Sequence, residues 1–197
     1  MVLASSSPRR QELLKYLGVA FSIQVPAIEE RQRPGETAEH YVQRNSREKA
    51  EIIFQSLPKD RPYVVIGSDT IGLFEAEVLE KPLDAPDAMR MLRLMSGKTH
   101  EVLTGLTLVY SQALQHAVKQ TVVRTSVQFK SLTEQEIRYY VATGEPLDKA
   151  GSYGIQGIGG FLVEKLNGSY SNVVGLPLVE LVDLLRCLPD PLEVSKI

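Results

Sequence analysis

Ser5, Ser6 and Ser7 run into Pro8, Arg9 and Arg10, which puts three hydroxyls, a helix start and two guanidiniums into one short stretch. Arginines at the amino end of a helix have the wrong sign for its dipole, and a bound anion would reverse that conflict. Backbone N–H groups, serine hydroxyls and guanidiniums able to bind in a bidentate way together make a phosphate-binding set. The plainer reading is a cap, with Ser7 at the N-cap, Pro8 at the first helical position and two solvated arginines. The pattern leaves both open.

Asp69 is the second candidate. With Gly67, Ser68 and Thr70 it follows the apolar run Tyr63 to Ile66, so it is expected at the carboxyl end of a central strand, where open α/β sheets place ligands. There a carboxylate can take a proton from an attacking water or hold Mg²⁺, and an Asx turn closing the strand is the alternative. Thr70 beside it either caps or touches substrate. Glu29 and Glu30 follow a predicted strand and offer further carboxylates for a divalent metal, or lie solvated in a polar loop. Lys49 and Lys81 suit charge stabilisation of a phosphoryl transition state, with surface lysines as the rival reading. Gln156 stands in Gly151 to Gly160, where five of ten residues are glycine. Its amide can read a base edge through paired donor and acceptor, and a tight structural crossover is the alternative.

The elements that must position these groups alternate between strand and helix patterns, which implies an α/β fold. Met1 to Ala4 reads as a strand, so short that it is expected to fray. Pro8 to Leu17 reads as a helix closed by Gly18, and Phe21 to Val25 as a second strand. Glu29 to Gly35 is a loop, after which Thr37 caps a long amphipathic helix ending near Pro58. Ile71 to Leu79 reads as a hairpin, Asp84 to Met95 as a helix stopped at Gly97, and His100 to Tyr110 with His116 to Phe129 as two antiparallel strands. Thr133 to Thr143 is helical, Phe161 to Lys165 a strand, and Leu178 to Leu188 the last helix before a tail expected to fray after Pro189. No repeats or low-complexity segments interrupt this order, so one domain is expected.

Composition narrows the partners. The chain has 197 residues and a formal net charge of -2, which argues against the broad basic face that a nucleic-acid polymer requires. No apolar run reaches the roughly 18 residues of a membrane span, and no secretory leader pattern opens the sequence, so a cytoplasmic protein is expected. The single Cys187 cannot form an intrachain disulfide and reads as a small buried hydrophobe. His40, His100 and His116 are too dispersed for a zinc site. The glycine-rich stretch matches neither the dinucleotide fingerprint nor the P-loop, which disfavours a Rossmann cofactor and a Walker ATPase.

Taken together, Leu3 to Arg10 with Glu12-Leu13-Leu14, Arg47-Glu48-Lys49-Ala50, Gly67-Ser68-Asp69-Thr70, Lys81-Pro82, Asp148 to Gly151 with Gly154-Ile155-Gln156-Gly157, and Asn172 to Pro177 resemble the Maf family of nucleoside triphosphate pyrophosphatases. The resemblance implies the mixed α/β fold shared with inosine triphosphate pyrophosphatases, a long twisted sheet with two lobes around a cleft, in a homodimer. It implies hydrolysis of the α–β phosphoanhydride with a divalent cation, Mg²⁺ or Mn²⁺. By motif, Asp69 is then the general base, and Glu30 helps it to hold the metal. Arg10, Lys49 and Lys81 contact the phosphates, assisted by Ser5, and Arg9, Thr70 and Gln156 govern substrate choice. Gln156 resembles the pyrimidine-type subgroup acting on dTTP and UTP, whereas a glutamate there is similar to the 7-methyl-GTP type. A nucleotide sensor linked to septum formation, without turnover, is the rival function. The segment Phe74 to Glu77 departs from the family by lacking an Asp-Gly turn.

Overall fold

The computed structural model describes residues 1–58, 60–112 and 115–188. The tail expected to fray after Pro189 lies outside them. Among the described residues the chain forms seven strands and six α-helices. The strands make one mixed sheet in the order β2-β1-β3-β5-β6-β7, with β4 paired to β3. The described residues divide into two compact units, one within 1–69, 104–123 and 175–188, the other of residues 70–103 and 124–174.

The first unit opens with β1 (Val2–Ala4), α1 (Pro8–Lys15), β2 (Ser22–Gln24) and α2 (Ala38–Ser56). β1, expected to fray, is paired in parallel with β2 on one side and with β3 (Val64–Phe74) on the other, and its three residues are buried. Peeling it away would break hydrogen bonds along both edges, which opposes fraying. α1 stops at Lys15, short of the predicted Leu17, and Gly18 follows at φ +66°. α2 runs as expected from the Thr37 cap, whose side chain accepts from the His40 N–H. Its buried stripe of Val42, Asn45, Ser46, Lys49, Ala50 and Ile53 follows the helical period.

Two glycines let α2 lie against the sheet. A Cβ at Gly67 would come within 2.9 Å of Ala50 Cβ and collide with the Ser46 carbonyl, and one at Gly105 would collide with the Val42 carbonyl. Val65, Ala50, Ile53 and Phe54 pack around this contact with Val2, Ala4, Leu57 and Val109. Burying such side chains is worth ~2 kcal/mol each. The last element, α6 (Leu178–Arg186), ends just before Cys187. That cysteine is exposed, contrary to the expected burial: Leu181, Leu185 and Leu188 carry the buried stripe, and Cys187, two residues past Leu185, falls on the opposite side.

The second unit holds the end of β3, β4 (Glu77–Leu79), α3 (Ala85–Met95), the start of β5 (Thr99–Gln112) and the end of β6 (Gln115–Phe129). It continues with α4 (Glu134–Ala142), β7 (Val163–Asn167) and α5 (Tyr170–Val174), the last a five-residue helix that the sequence pattern did not suggest. The β3–β4 turn dispenses with Asp-Gly: Phe74 pairs with Glu77, and Glu75 takes φ +55° in the left-handed region. The glycine-rich stretch is irregular, as expected, and includes short 3₁₀ turns. β7 starts two residues later than predicted, since Phe161 and Leu162 belong to one of those turns.

Candidate active site

β3 does not end at Ile66. It runs straight through Gly67, Ser68, Asp69 and Thr70 to Phe74, so Asp69 lies within a strand and the Asx-turn reading is excluded. A strand tolerates these polar residues because each is answered on its own face. Gly67 and Asp69 face α2 by the two-residue alternation, and Ser68 faces the other way. Ser68 donates its hydroxyl to the Gly175 carbonyl at 2.9 Å.

On the α2 side, Lys49 Nζ donates to Asp69 Oδ1 at 2.6 Å and Asn45 Nδ2 donates to Asp69 Oδ2 at 2.9 Å. Asn45 and Lys49 are four residues apart and therefore share a helix face. All three side chains are buried, with Asp69 at 5% exposure. Lys49 also meets Glu30 Oε2 at 2.9 Å, and Glu30 keeps 46% of its side chain open to solvent. Lys49 is thus gripped between two carboxylates, one enclosed and one open.

The serine–arginine stretch joins this cluster. Ser5 is buried, and its Oγ accepts from the Ser7 N–H at 3.2 Å and from Arg10 Nη1 at 3.3 Å. Arg10 Nε donates to the Gly175 carbonyl at 2.8 Å. Ser7 occupies the N-cap with extended backbone but makes no side-chain cap bond, so the cap reading is right about place and wrong about chemistry. Nor is Arg10 a solvated arginine. Burial pushes its pKa down from the ordinary value, and the charges of Asp69 and Glu30 oppose that shift. Ser5, Arg10, Glu30, Lys49 and Asp69 therefore come together, two cations facing two carboxylates. Arg9 is half-buried on the same turn of α1.

Thr70, Lys81 and Gln156 belong to the second unit. Thr70 continues β3 and is half-buried, Lys81 is exposed in the bend after β4, and Gln156 is exposed in the glycine-rich stretch.

Asn45 escaped the sequence reading, as did the latch behind it. Arg44 Nη1 donates to Asn45 Oδ1 at 3.0 Å, and this orients the amide with its NH₂ toward Asp69. Arg44 also forks onto Glu36 at 2.7 and 2.9 Å and reaches the Arg31 carbonyl at 2.9 Å. One arginine therefore ties the loop that carries Glu30 to the partner of Asp69. The hydrogen bond from Arg44 is the main cause holding the Glu36 carboxyl down at about 2, with burial opposing it. The available signal was Asn45 and Lys49 at helical spacing on a face that also carries Ala50 and Ile53.

The sequence has known relatives. Residues 1–188 match the family model described as Maf-like protein. A dTTP/UTP pyrophosphatase of Salmonella typhimurium is 54% identical over 185 residues, covering 94% of this chain and 91% of that protein. The dTTP/UTP pyrophosphatase of Escherichia coli (strain K12) matches with the same identity and coverage. The matched span includes both the serine–arginine stretch on α1 and the Asp69 strand, and the chain belongs to the Maf-like protein family.

Proposed function

We propose that the chain hydrolyses the α–β phosphoanhydride of dTTP, UTP and modified pyrimidine nucleotides to the monophosphate and pyrophosphate, clearing such nucleotides from the pool. The observation that carries this is the buried Asp69 held by Lys49 at 2.6 Å within the Ser5–Arg10 cluster. The relatives named above, 54% identical, carry the name of that activity.

Asp69 takes the proton of a water whose oxygen bonds to phosphorus, while the bridging P–O bond breaks and pyrophosphate leaves. Lys49 and Asn45 fix the orientation of the carboxylate, which general-base catalysis requires. An ammonium has three donors, so Lys49 has one left for a phosphate oxygen after serving Asp69 and Glu30. Arg10 and Ser5 hold the polyphosphate at the start of α1, and Lys81 adds charge at the transition state. Thr70 and Arg9 contribute to substrate choice. Gln156 contacts the base, its amide donating and accepting against a uracil-like edge where a glutamate could only accept.

The donors suit a hard divalent cation, Mg²⁺ or Mn²⁺. Glu30 and Asp69 share Lys49 Nζ and are both oxygen ligands, and no group of three or more metal-binding side chains forms among the described residues. Such ions are commonly held by one or two carboxylates and completed by substrate phosphate and water. Bound by Glu30 and Asp69, the ion would neutralise phosphate oxygens. The working form is a cytoplasmic homodimer. No described helix is long and apolar enough to cross a membrane.

The test is pyrophosphate release with Mg²⁺ from dTTP, UTP and 7-methyl-GTP, for the wild type and Asp69→Asn. The wild type should prefer the pyrimidines, and Asp69→Asn should lower kcat by about 10³-fold. Binding without product from the wild type would overturn the enzyme reading. Full activity in Asp69→Asn would remove Asp69 as the base.

A further inference from the structure

The glycine-rich stretch is folded around one carboxylate. Glu145 Oε1 accepts from the Gly159 N–H at 3.0 Å and from the Tyr140 hydroxyl at 2.9 Å, and Oε2 accepts from the Ile158 N–H at 2.9 Å. The Tyr140 hydroxyl in turn accepts from the Gly154 N–H at 3.1 Å. Between these anchors the Gly157 N–H bonds the Gly154 carbonyl at 3.3 Å, closing a four-residue turn whose central positions are Ile155 and Gln156. Gln156 therefore rides on the corner of a turn held at both ends by two side chains, Tyr140 and Glu145.

The fit leaves no slack. A Cβ at Gly157 would lie 2.5 Å from Glu145 Oε2, and one at Gly159 would lie 2.8 Å from Tyr140 Cζ. Lys149 Nζ donates to the Glu145 carbonyl at 2.6 Å, which fixes the main chain that carries the carboxylate. Burial alone would raise the Glu145 carboxyl. The N–H groups of Gly159 and Ile158, with Tyr140 and Lys149, outweigh it and hold the group below the ordinary carboxylate range. Burial also raises the Tyr140 phenol, which leaves it protonated to donate.

We propose that Glu145, with Tyr140, is the positioning device for substrate selection: it sets where the Gln156 amide stands and so how sharply the base is read. This rests on the reading of Gln156 as the base contact. In that reading neither residue is itself a contact of the base or the phosphates. Their contribution is to preorganise the turn, and preorganised polar contacts discriminate most strongly because a wrong partner leaves them unpaired.

The test uses Glu145→Gln, which keeps shape but turns an NH₂ toward an N–H donor, and Tyr140→Phe, which keeps the ring and removes the bridging hydroxyl. Each is assayed for kcat and KM on dTTP, UTP and dGTP, alone and combined with Gln156→Ala, with Tm measured alongside. Each variant should raise KM for dTTP by about 10-fold, concentrate the loss in KM rather than kcat, and lower the dTTP-to-dGTP ratio of kcat/KM by about the same factor. Gln156→Ala should then add little on the Glu145→Gln background, because the amide is already misplaced. A lower Tm with an unchanged dTTP-to-dGTP ratio would overturn the proposal, as would full additivity with Gln156→Ala. A wild type with no pyrimidine preference would overturn the reading of Gln156 and the proposal with it, and is recognised before any variant is made.

Discussion

Asp69 in the first unit and Glu145 in the second are both carboxylates with every oxygen engaged, yet their partners differ in kind. Asp69 is met by an ammonium and an amide, both on side chains of one helix, and the ammonium is shared with the half-open Glu30. Glu145 is met by two main-chain N–H groups and a phenol. Main-chain donors cannot leave without unfolding the loop, whereas a lysine side chain can trade one acceptor for another as a ligand arrives. On the proposed chemistry, enclosure alone does not mark a reactive carboxylate. The replaceability of its partners does.

The strongest way to break this contrast is to remove the movable partner. Lys49→Met leaves Asp69 buried without its counter-charge and should cut kcat by about 10²-fold or more, read as pyrophosphate release. Tyr140→Phe should change kcat by less than about threefold, since it takes a strut from a scaffold and not a charge from the chemistry. Equal losses of kcat would end the division of labour between the two carboxylates.

A second experiment concerns how the unit around Glu145 withstands acid. His100 is buried against Phe129 and Tyr153, with Nε2 2.9 Å from the Tyr153 hydroxyl and Nδ1 lacking a hydrogen-bond partner among the described residues. Burial pushes its pKa down to about 4. The unfolded chain therefore takes up a proton that the native chain refuses. Stability is full above about 6.5 and falls as pH drops toward 4, by roughly 3 kcal/mol. Thermal unfolding between pH 7 and 4 should show this slope, and His100→Gln should flatten it. An unchanged slope in the variant would place the acid sensitivity elsewhere.

Smaller effects are expected from the latch behind Asp69. Asn45→Ala should lower kcat by about 10-fold with little change in KM, because the carboxylate loses one orienting donor but keeps Lys49. Glu36→Gln should have the least effect on kcat. Its signature lies in acid: the Glu36 carboxyl is held down at about 2, so its contribution is present above about 4.5 and fades as pH falls toward 2. Glu36→Gln should lack that fading in acid unfolding curves. If Glu36→Gln instead lowers kcat more than Asn45→Ala, the loop carrying Glu30 matters more than the orientation of Asp69.

The sequence made much of the first unit legible because its groups announce themselves by type. Serines before a proline, two arginines and a carboxylate after an apolar run are unusual in combination, and of these Ser5, Arg10 and Asp69 do meet, together with Glu30 and Lys49. What stayed hidden was hidden for physical reasons. β3 looked as if it ended at Ile66 because Ser68 and Asp69 are poor strand residues until their partners on α2 and at Gly175 are known. Asn45 lies in a helix segment crowded with charged residues and reads as solvated. Glu145 drew no attention in the sequence because two of its partners are main-chain N–H groups, which have no signature in side-chain spelling. Cys187 was misplaced because its residue type suggests burial, while its position two residues past Leu185 falls off the buried stripe of α6.

Gly67 carries no functional group, yet it sets a distance. With no Cβ between β3 and the carbonyl of Ser46, α2 lies close enough for Asn45 and Lys49 to reach Asp69. Any larger side chain at 67 must lift the helix, and a shift of about 1 Å at catalytic groups can cost on the order of 10²-fold in rate. If Asp69 is the base proposed above, a mutational scan scored by turnover flags position 67 alongside Asp69 itself, and anyone engineering this enzyme should keep that glycine as the spacer of its site.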